Sequence, residues 1–94
     1  MVPTVNTPRY HVTYAKAAAR ALRRLDRPVQ RRLIDAIDQL GDDPRPHGTK
    51  ALQGGGGLLR IRIGDYRVVY AVDDDQLVVV VVTLGHRRDV YRGL

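Results

Sequence analysis

The chain predicts an α+β fold in the order β-α-α-β-β-β, with an N-terminal helical hairpin packed on one face of a small, mainly antiparallel sheet. Three observations predict it. Two apolar stripes of helical period lie between residues 18 and 40, broken at Asp26-Arg27-Pro28. Two alternating apolar runs, 59–63 and 66–70, flank the two-residue joint Gly64-Asp65. A third run, 77–82, carries no polar side chain, which suits a strand covered on both sides. The 94 residues suffice for one domain, 1–94, with a modest core.

Residues 1–8 contain Pro3 and Pro8 and read as a loose leader. A first strand covers 9–14, and Thr13 is the candidate cap of the helix that follows. In that helix Ala18, Ala21, Leu22 and Leu25 fall at i, i+3, i+4 and i+7, a core-facing stripe. Lys16, Arg20, Arg23, Arg24 and Arg27 lie on the other side. Asp26 precedes Pro28, a residue favoured in the first turn of a helix. Val29, Leu33, Ala36, Ile37 and Leu40 form the second stripe. Arg31 and Asp35 are spaced to pair at i, i+4, and Gly41 ends the helix. Residues 42–57 form a long loop with Pro44, Pro46 and four consecutive glycines, a kind of loop that is often functional or mobile. Strands follow at about 58–63, 66–73 and 76–84, the last two separated by a turn around Asp74-Asp75. The last strand belongs in the sheet interior, and the residues after it form a further short turn or strand.

Composition narrows the partners. Net charge is +6, carried by fourteen Arg and two Lys against ten Asp. Arg suits planar, bidentate contact with phosphate, although the Ala, Arg, Gly, Asp and Val bias also fits a GC-rich genome. The absence of Cys excludes disulfides and thiolate metal sites. The start of the chain lacks the apolar segment of a signal peptide, and no apolar run reaches membrane-spanning length. The expectation is a cytoplasmic protein attracted to polyanions, with no membrane association and no cofactor or metal.

The hairpin concentrates the charge. Gly at the first loop position suits a type II′ turn, which sets Ile63 opposite Tyr66 and Arg62 opposite Arg67. Arg60, Arg62 and Arg67 then share one sheet face, and Leu59, Ile61 and Ile63 the other. Like charges directly opposite destabilise a sheet by a few tenths to about 1 kcal/mol per pair. The fold gains nothing from three guanidiniums together, whereas a phosphate-binding surface does. The tail adds His86, Arg87, Arg88 and Tyr91 just beyond the last strand, within reach of the same face. Metal-independent RNA cleavage needs these functions: Arg stabilises phosphorane charge, and Tyr and His move protons. Each residue also has a plainer reading, as solvated Arg, packing Tyr91, loop-bonding His86 and surface Lys50. Tyr66 and Tyr70 read as core, and His11 and His47 have no visible partners. No Gly-Lys-Ser/Thr follows the glycine run, so it is not a P-loop. Asp73–Asp75 lacks the spacing of a calcium loop.

The segments Leu59-Arg60-Ile61-Arg62-Ile63-Gly64-Asp65-Tyr66-Arg67-Val68-Val69-Tyr70 and Gly85-His86-Arg87-Arg88-Asp89-Val90-Tyr91-Arg92 resemble the RelE/ParE superfamily of bacterial toxin–antitoxin toxins. The tail resembles the RelE branch of ribosome-dependent mRNA endonucleases; ParE relatives poison DNA gyrase and generally lack it. The resemblance implies A-site mRNA cleavage by 2′-hydroxyl attack, with Arg60, Arg62, Arg67, Arg87 and Tyr91 at catalytic positions. It implies RNA or ribosome contact through Lys50, Arg60, Arg62 and Arg88. A RelB-like antitoxin, acidic and partly disordered, is the implied partner beside ribosome and mRNA, in an assembly such as a heterotetramer. The best-known member has lysines where this chain has Arg60 and Arg62. Arg does not release its proton in a protein, so these two stabilise charge only, and His86 becomes the candidate proton carrier. The alternative is a ParE-like gyrase inhibitor with no chemistry of its own.

Overall fold

Sheet pairing sets the architecture. The computed structural model describes residues 9–54 and 56–87. Five strands form one sheet: β1 (His11–Tyr14), β2 (Lys50–Ala51), β3 (Leu59–Ile63), β4 (Tyr66–Asp73) and β5 (Val78–His86). Their spatial order is β1-β5-β4-β3-β2. β1 runs parallel to β5, and the other pairings are antiparallel. α1 (Lys16–Arg23), α2 (Arg27–Asp38) and a 3₁₀ turn at Gln39–Gly41 lie between β1 and β2. The α+β class, the helical hairpin and the three consecutive C-terminal strands match the sequence expectation. No helix among the described residues is long and apolar enough to cross a membrane.

The two predicted stripes meet the sheet. Ala18, Leu33, Ile37 and Leu40 are buried against Ile61, Val68, Tyr70, Val79, Val81 and Leu84. Full burial of a Leu, Ile or Val side chain contributes roughly 1.5–3 kcal/mol, so this layer supplies the fold's main stabilisation. β5 has neighbours on both edges, as its continuous apolar run requires.

Several local details depart from the sequence reading. Thr13 does not cap α1; it lies inside β1, and its hydroxyl donates to the Val79 carbonyl at 3.5 Å. The cap position is Ala15, whose N–H is taken by the Val81 carbonyl of the neighbouring strand. Arg31 and Asp35 form no ion pair. The cation precedes the anion here, the weaker orientation along a helix, and exposed pairs barely repay the side-chain entropy they fix. β5 begins at Val78 rather than 76 and runs to His86. The Asp73 carboxylate accepts the N–H groups of Asp75 and Gln76, and Leu77 takes φ 57°, so the turn consumes two more residues. Within the predicted long loop, β2 pairs with the start of β3, and the Leu52 N–H donates to the Leu58 carbonyl across the glycine turn.

The first part of that loop is pinned rather than loose. The Tyr70 hydroxyl donates to the Pro44 carbonyl at 2.7 Å; burial pushes this phenol's pKa up and keeps it a neutral donor. Arg45 grips Asp74 with two hydrogen bonds, at 2.9 and 3.1 Å, and the Tyr10 hydroxyl donates to the same carboxylate at 2.6 Å. The Arg45 and Tyr10 bonds lower the Asp74 pKa from 3.8 to about 2. A depressed carboxylate pKa gives stability that is present above the unfolded value and lost as pH falls through the folded one. Asp74→Asn should therefore flatten the acid loss of stability between about pH 4 and 2, measured by denaturant unfolding at a series of pH values.

Gly41 allows the close approach of β1 to the end of α2. Its carbonyl accepts the Tyr10 N–H at 2.7 Å. A Cβ at this position would collide with the Arg9 guanidinium and stand 2.9 Å from the Tyr10 carbonyl oxygen. Arg9 can swing away, giving up its bond to Asp38, but the carbonyl belongs to the backbone. Gly41→Ala should destabilise by about 1–3 kcal/mol, the range for overpacking, read from the shift in a urea midpoint.

Candidate functional site

The hairpin delivers the expected register. Gly64 has φ 62°, and Asp65 is not in the positive-φ region, as a type II′ turn requires. Arg62 stands opposite Arg67, and Ile63 opposite Tyr66. Arg60, Arg62 and Arg67 therefore line one face of the sheet, away from the helices. β2 adds Lys50 directly across from Arg60. Two like-charge cross-strand pairs thus lie on neighbouring strands, each destabilising by up to about 1 kcal/mol.

β5 completes the face in an unforeseen way. Its partners are Thr83 beside Val69 and Gly85 beside Arg67. Gly85 presents no side chain beside Arg67. Arg67 is half-buried, and its Nε is buried without a hydrogen-bond partner among the described residues. Leaving such a donor unmade costs about 1–3 kcal/mol, a loss that an anionic ligand would remove.

A β-bulge decides which tail residue looks onto this face. The register shifts between Val69 and Tyr70: Val69 pairs with Thr83 and Tyr70 with Val81, leaving Val82 as the extra residue. Unbroken alternation from buried Val79 and Val81 would send His86 to the arginine face. The bulge reverses the phase, so Leu84 is buried in the core and His86 follows it to the helix side. There its ring meets Tyr66 edge-on, with centroids 5.8 Å apart. The structure thus separates His86 from the arginines with which the sequence reading grouped it. Arg87, the next residue, is exposed, and its N–H donates to the Asp65 carbonyl at 2.9 Å. That bond ties the start of the tail to the hairpin turn beside Arg62 and Arg67. Arg88 and Tyr91 lie outside the described residues.

One group that the sequence left without a role also lies near the cluster. A cavity of about 490 Å³ opens between the end of α2 and β3, and His47, Lys50 and Arg62 line it with Leu40, Ile61 and Ile63. The sequence carries no spacing signal for His47, because the loop fold alone brings it to β3. His11 lies on the opposite sheet edge, in β1.

Comparison with known proteins gives the cluster a family. A family model described as the ParE toxin of type II toxin–antitoxin systems (parDE) matches residues 12–91. The chain belongs to this RelE/ParE superfamily of type II toxins. It is 34% identical to "Toxin RelE" of Mycobacterium tuberculosis over 84 residues, covering 88% of this chain and 87% of that protein. It is 30% identical to "Toxin RelG" of the same organism, covering 88% and 97%. Among solved structures, the toxin–antitoxin complex RelBE2 of M. tuberculosis matches with TM-score 0.77 and 28% identity, over 89% of this chain and 98% of that one. The RelE–RelB complex of Pyrococcus horikoshii matches with TM-score 0.73 and 32% identity, over 86% and 98%. The chain is a RelE-like toxin of this superfamily, and the arginine face lies on its β3–β4 hairpin.

Proposed function

We propose that this RelE-like toxin is a ribosome-dependent endoribonuclease that cuts mRNA in the A site and stops translation. The observation that carries the reading is the single sheet face shared by Lys50, Arg60, Arg62 and Arg67, to which the Arg87 N–H bond ties the tail. The fold loses stability by grouping these cations, and a scissile phosphate repays it. Arg60, Arg62, Arg67 and Arg87 stabilise the charge that builds on the phosphorane oxygens. Tyr91 takes the 2′-hydroxyl proton. The 2′-oxygen attacks phosphorus, and the 5′-oxygen leaves and takes a proton from water, giving a cyclic phosphate and a 5′-hydroxyl. His86, turned toward Tyr66, has no proton-transfer step in this scheme. Lys50 and Arg88 hold the RNA backbone.

The partner that restrains the toxin is an acidic, partly disordered antitoxin of RelB type that folds over the basic surface. Solved relatives include RelE–RelB complexes. The matching family description names ParE, so a gyrase-directed toxin is the competing reading. Pulse labelling after induction of the toxin alone separates the two. Early arrest of amino-acid incorporation supports the nuclease. Early arrest of DNA synthesis with continuing translation supports the gyrase poison.

A further inference from the structure

Cleavage of the proposed kind ends on a poor leaving group. The 5′-oxygen departs with the electron pair of the P–O bond and takes a proton from water, itself a very weak acid. A side chain that feeds a proton into that water eases the step, and general acid catalysis typically contributes about 10²–10⁴-fold. The guanidiniums of Arg60, Arg62 and Arg67 do not supply it, because Arg keeps its proton in a protein. His86 is turned to Tyr66 on the helix side. His11 lies at the far edge of the sheet. Tyr66 and Tyr70 face the core, and Tyr91 is engaged with the 2′-hydroxyl.

Lys50 has the missing property. The chain has fourteen Arg and two Lys, and one of those two Lys stands on the arginine face. Lys50 is the Cα partner of Arg60 in the β2–β3 ladder, so both side chains leave the sheet on the same side. Directly opposite side chains start roughly 4.5–5.5 Å apart and diagonal ones roughly 7–8 Å apart, which places Arg62 diagonally within reach of the four-carbon Lys stem. Lys50 is exposed, and no carboxylate among the described residues forms an ion pair with it. Lys50 and Arg62 also line the same cavity of about 490 Å³, a polar rim with room for water beside both. As a group, an ammonium is a stronger acid than a guanidinium by about a hundredfold or more. His47 lines that cavity too, but it belongs to the loop before β2 and has no register with the arginine face.

We propose that Lys50 is the general acid of the cleavage, its ammonium protonating, through one water, the 5′-oxygen that leaves. The assignment rests on the nuclease reading and completes its proton balance. The 2′-O–P bond forms as the P–O5′ bond breaks, and the electron pair of the broken bond stays on the 5′-oxygen. That oxygen takes a proton from the bridging water, the water takes one from Lys50, and the resulting amine recovers one from solvent. Tyr91 returns the 2′-hydroxyl proton to solvent. The arginines hold charge throughout, and the single Lys among them moves the proton.

The test compares two mRNAs on programmed ribosomes, in single turnover with ribosomes saturating. One mRNA is natural, and the other has sulfur in place of the 5′-bridging oxygen at the scissile bond. Sulfur leaves as a stable thiolate and needs no proton. Lys50→Arg keeps the cation and removes the releasable proton. It should cut the natural mRNA about 10²-fold or more slowly than the parent, and the sulfur mRNA at the parent's rate. The ribosome concentration for half-maximal cleavage should not change. Recovery on the sulfur mRNA also shows that the variant is folded. Arg62→Ala should slow both mRNAs, because it stabilises phosphorane charge whichever atom leaves. A Lys50→Arg toxin that cuts the natural mRNA at the parent's rate overturns the assignment alone and leaves the nuclease reading standing. An equal defect on both mRNAs also overturns it, making Lys50 a cation that only holds phosphate. A parent that cuts neither mRNA removes the nuclease reading and the assignment with it.

Discussion

Tyr91→Phe is expected to lower the rate of mRNA cleavage by about 10²–10⁴-fold, the usual contribution of a positioned proton-transfer group, with ribosome binding nearly intact. The change removes one phenolic oxygen and keeps the ring. A packing role would therefore leave activity almost unchanged, and a proton-transfer role would not. Single-turnover cleavage on saturating ribosomes separates chemistry from binding. Arg60 and Arg62 sharpen the prediction, because Arg stays protonated and neither can replace the lost phenol as a base.

Arg62→Ala should move activity and stability in opposite directions. Arg62 is exposed and stands directly opposite Arg67. Its loss should slow cleavage by roughly 10²–10³-fold, the range for removing one preorganised charge-stabilising group, and weaken RNA binding as well, since it meets phosphate before and during the reaction. The same substitution relieves the cross-strand repulsion, so the folded chain should gain a few tenths to about 1 kcal/mol. Cleavage kinetics and a urea titration on one preparation read both effects. A variant that loses activity and stability together would mark Arg62 as structural.

The hairpin was legible because its information is local. Gly64-Asp65 fixes the turn, the turn fixes the register, and the register puts Arg62 against Arg67 on one face. The helical stripes were legible for the same reason: Ala18, Leu33, Ile37 and Leu40 keep helical spacing and are buried. The bulge at Val82 left no such mark. The run 77–82 has no polar residue to show a change of phase, so the face of His86 could not be read from it. The bulge moves His86 to Tyr66 and leaves Arg87 at the hairpin turn. β2 was equally hidden, since two residues, Lys50 and Ala51, make no pattern and depend on β3 for pairing. Thr13 misled because its cap-like position before α1 competes with strand pairing, and the β1–β5 ladder took precedence. His47 lines a cavity with Lys50 and Arg62 only through the pinned loop, a long-range consequence of Tyr70 and Asp74.

The most direct test of the nuclease reading is a cleavage map. Purified toxin is added to ribosomes stalled with a known codon in the A site, and the mRNA ends are mapped and chemically typed. The account predicts cuts inside that codon, dependent on the ribosome and leaving a 2′,3′-cyclic phosphate and a 5′-hydroxyl. Intact mRNA in that reaction, with the same preparation trapping gyrase on DNA, would contradict it.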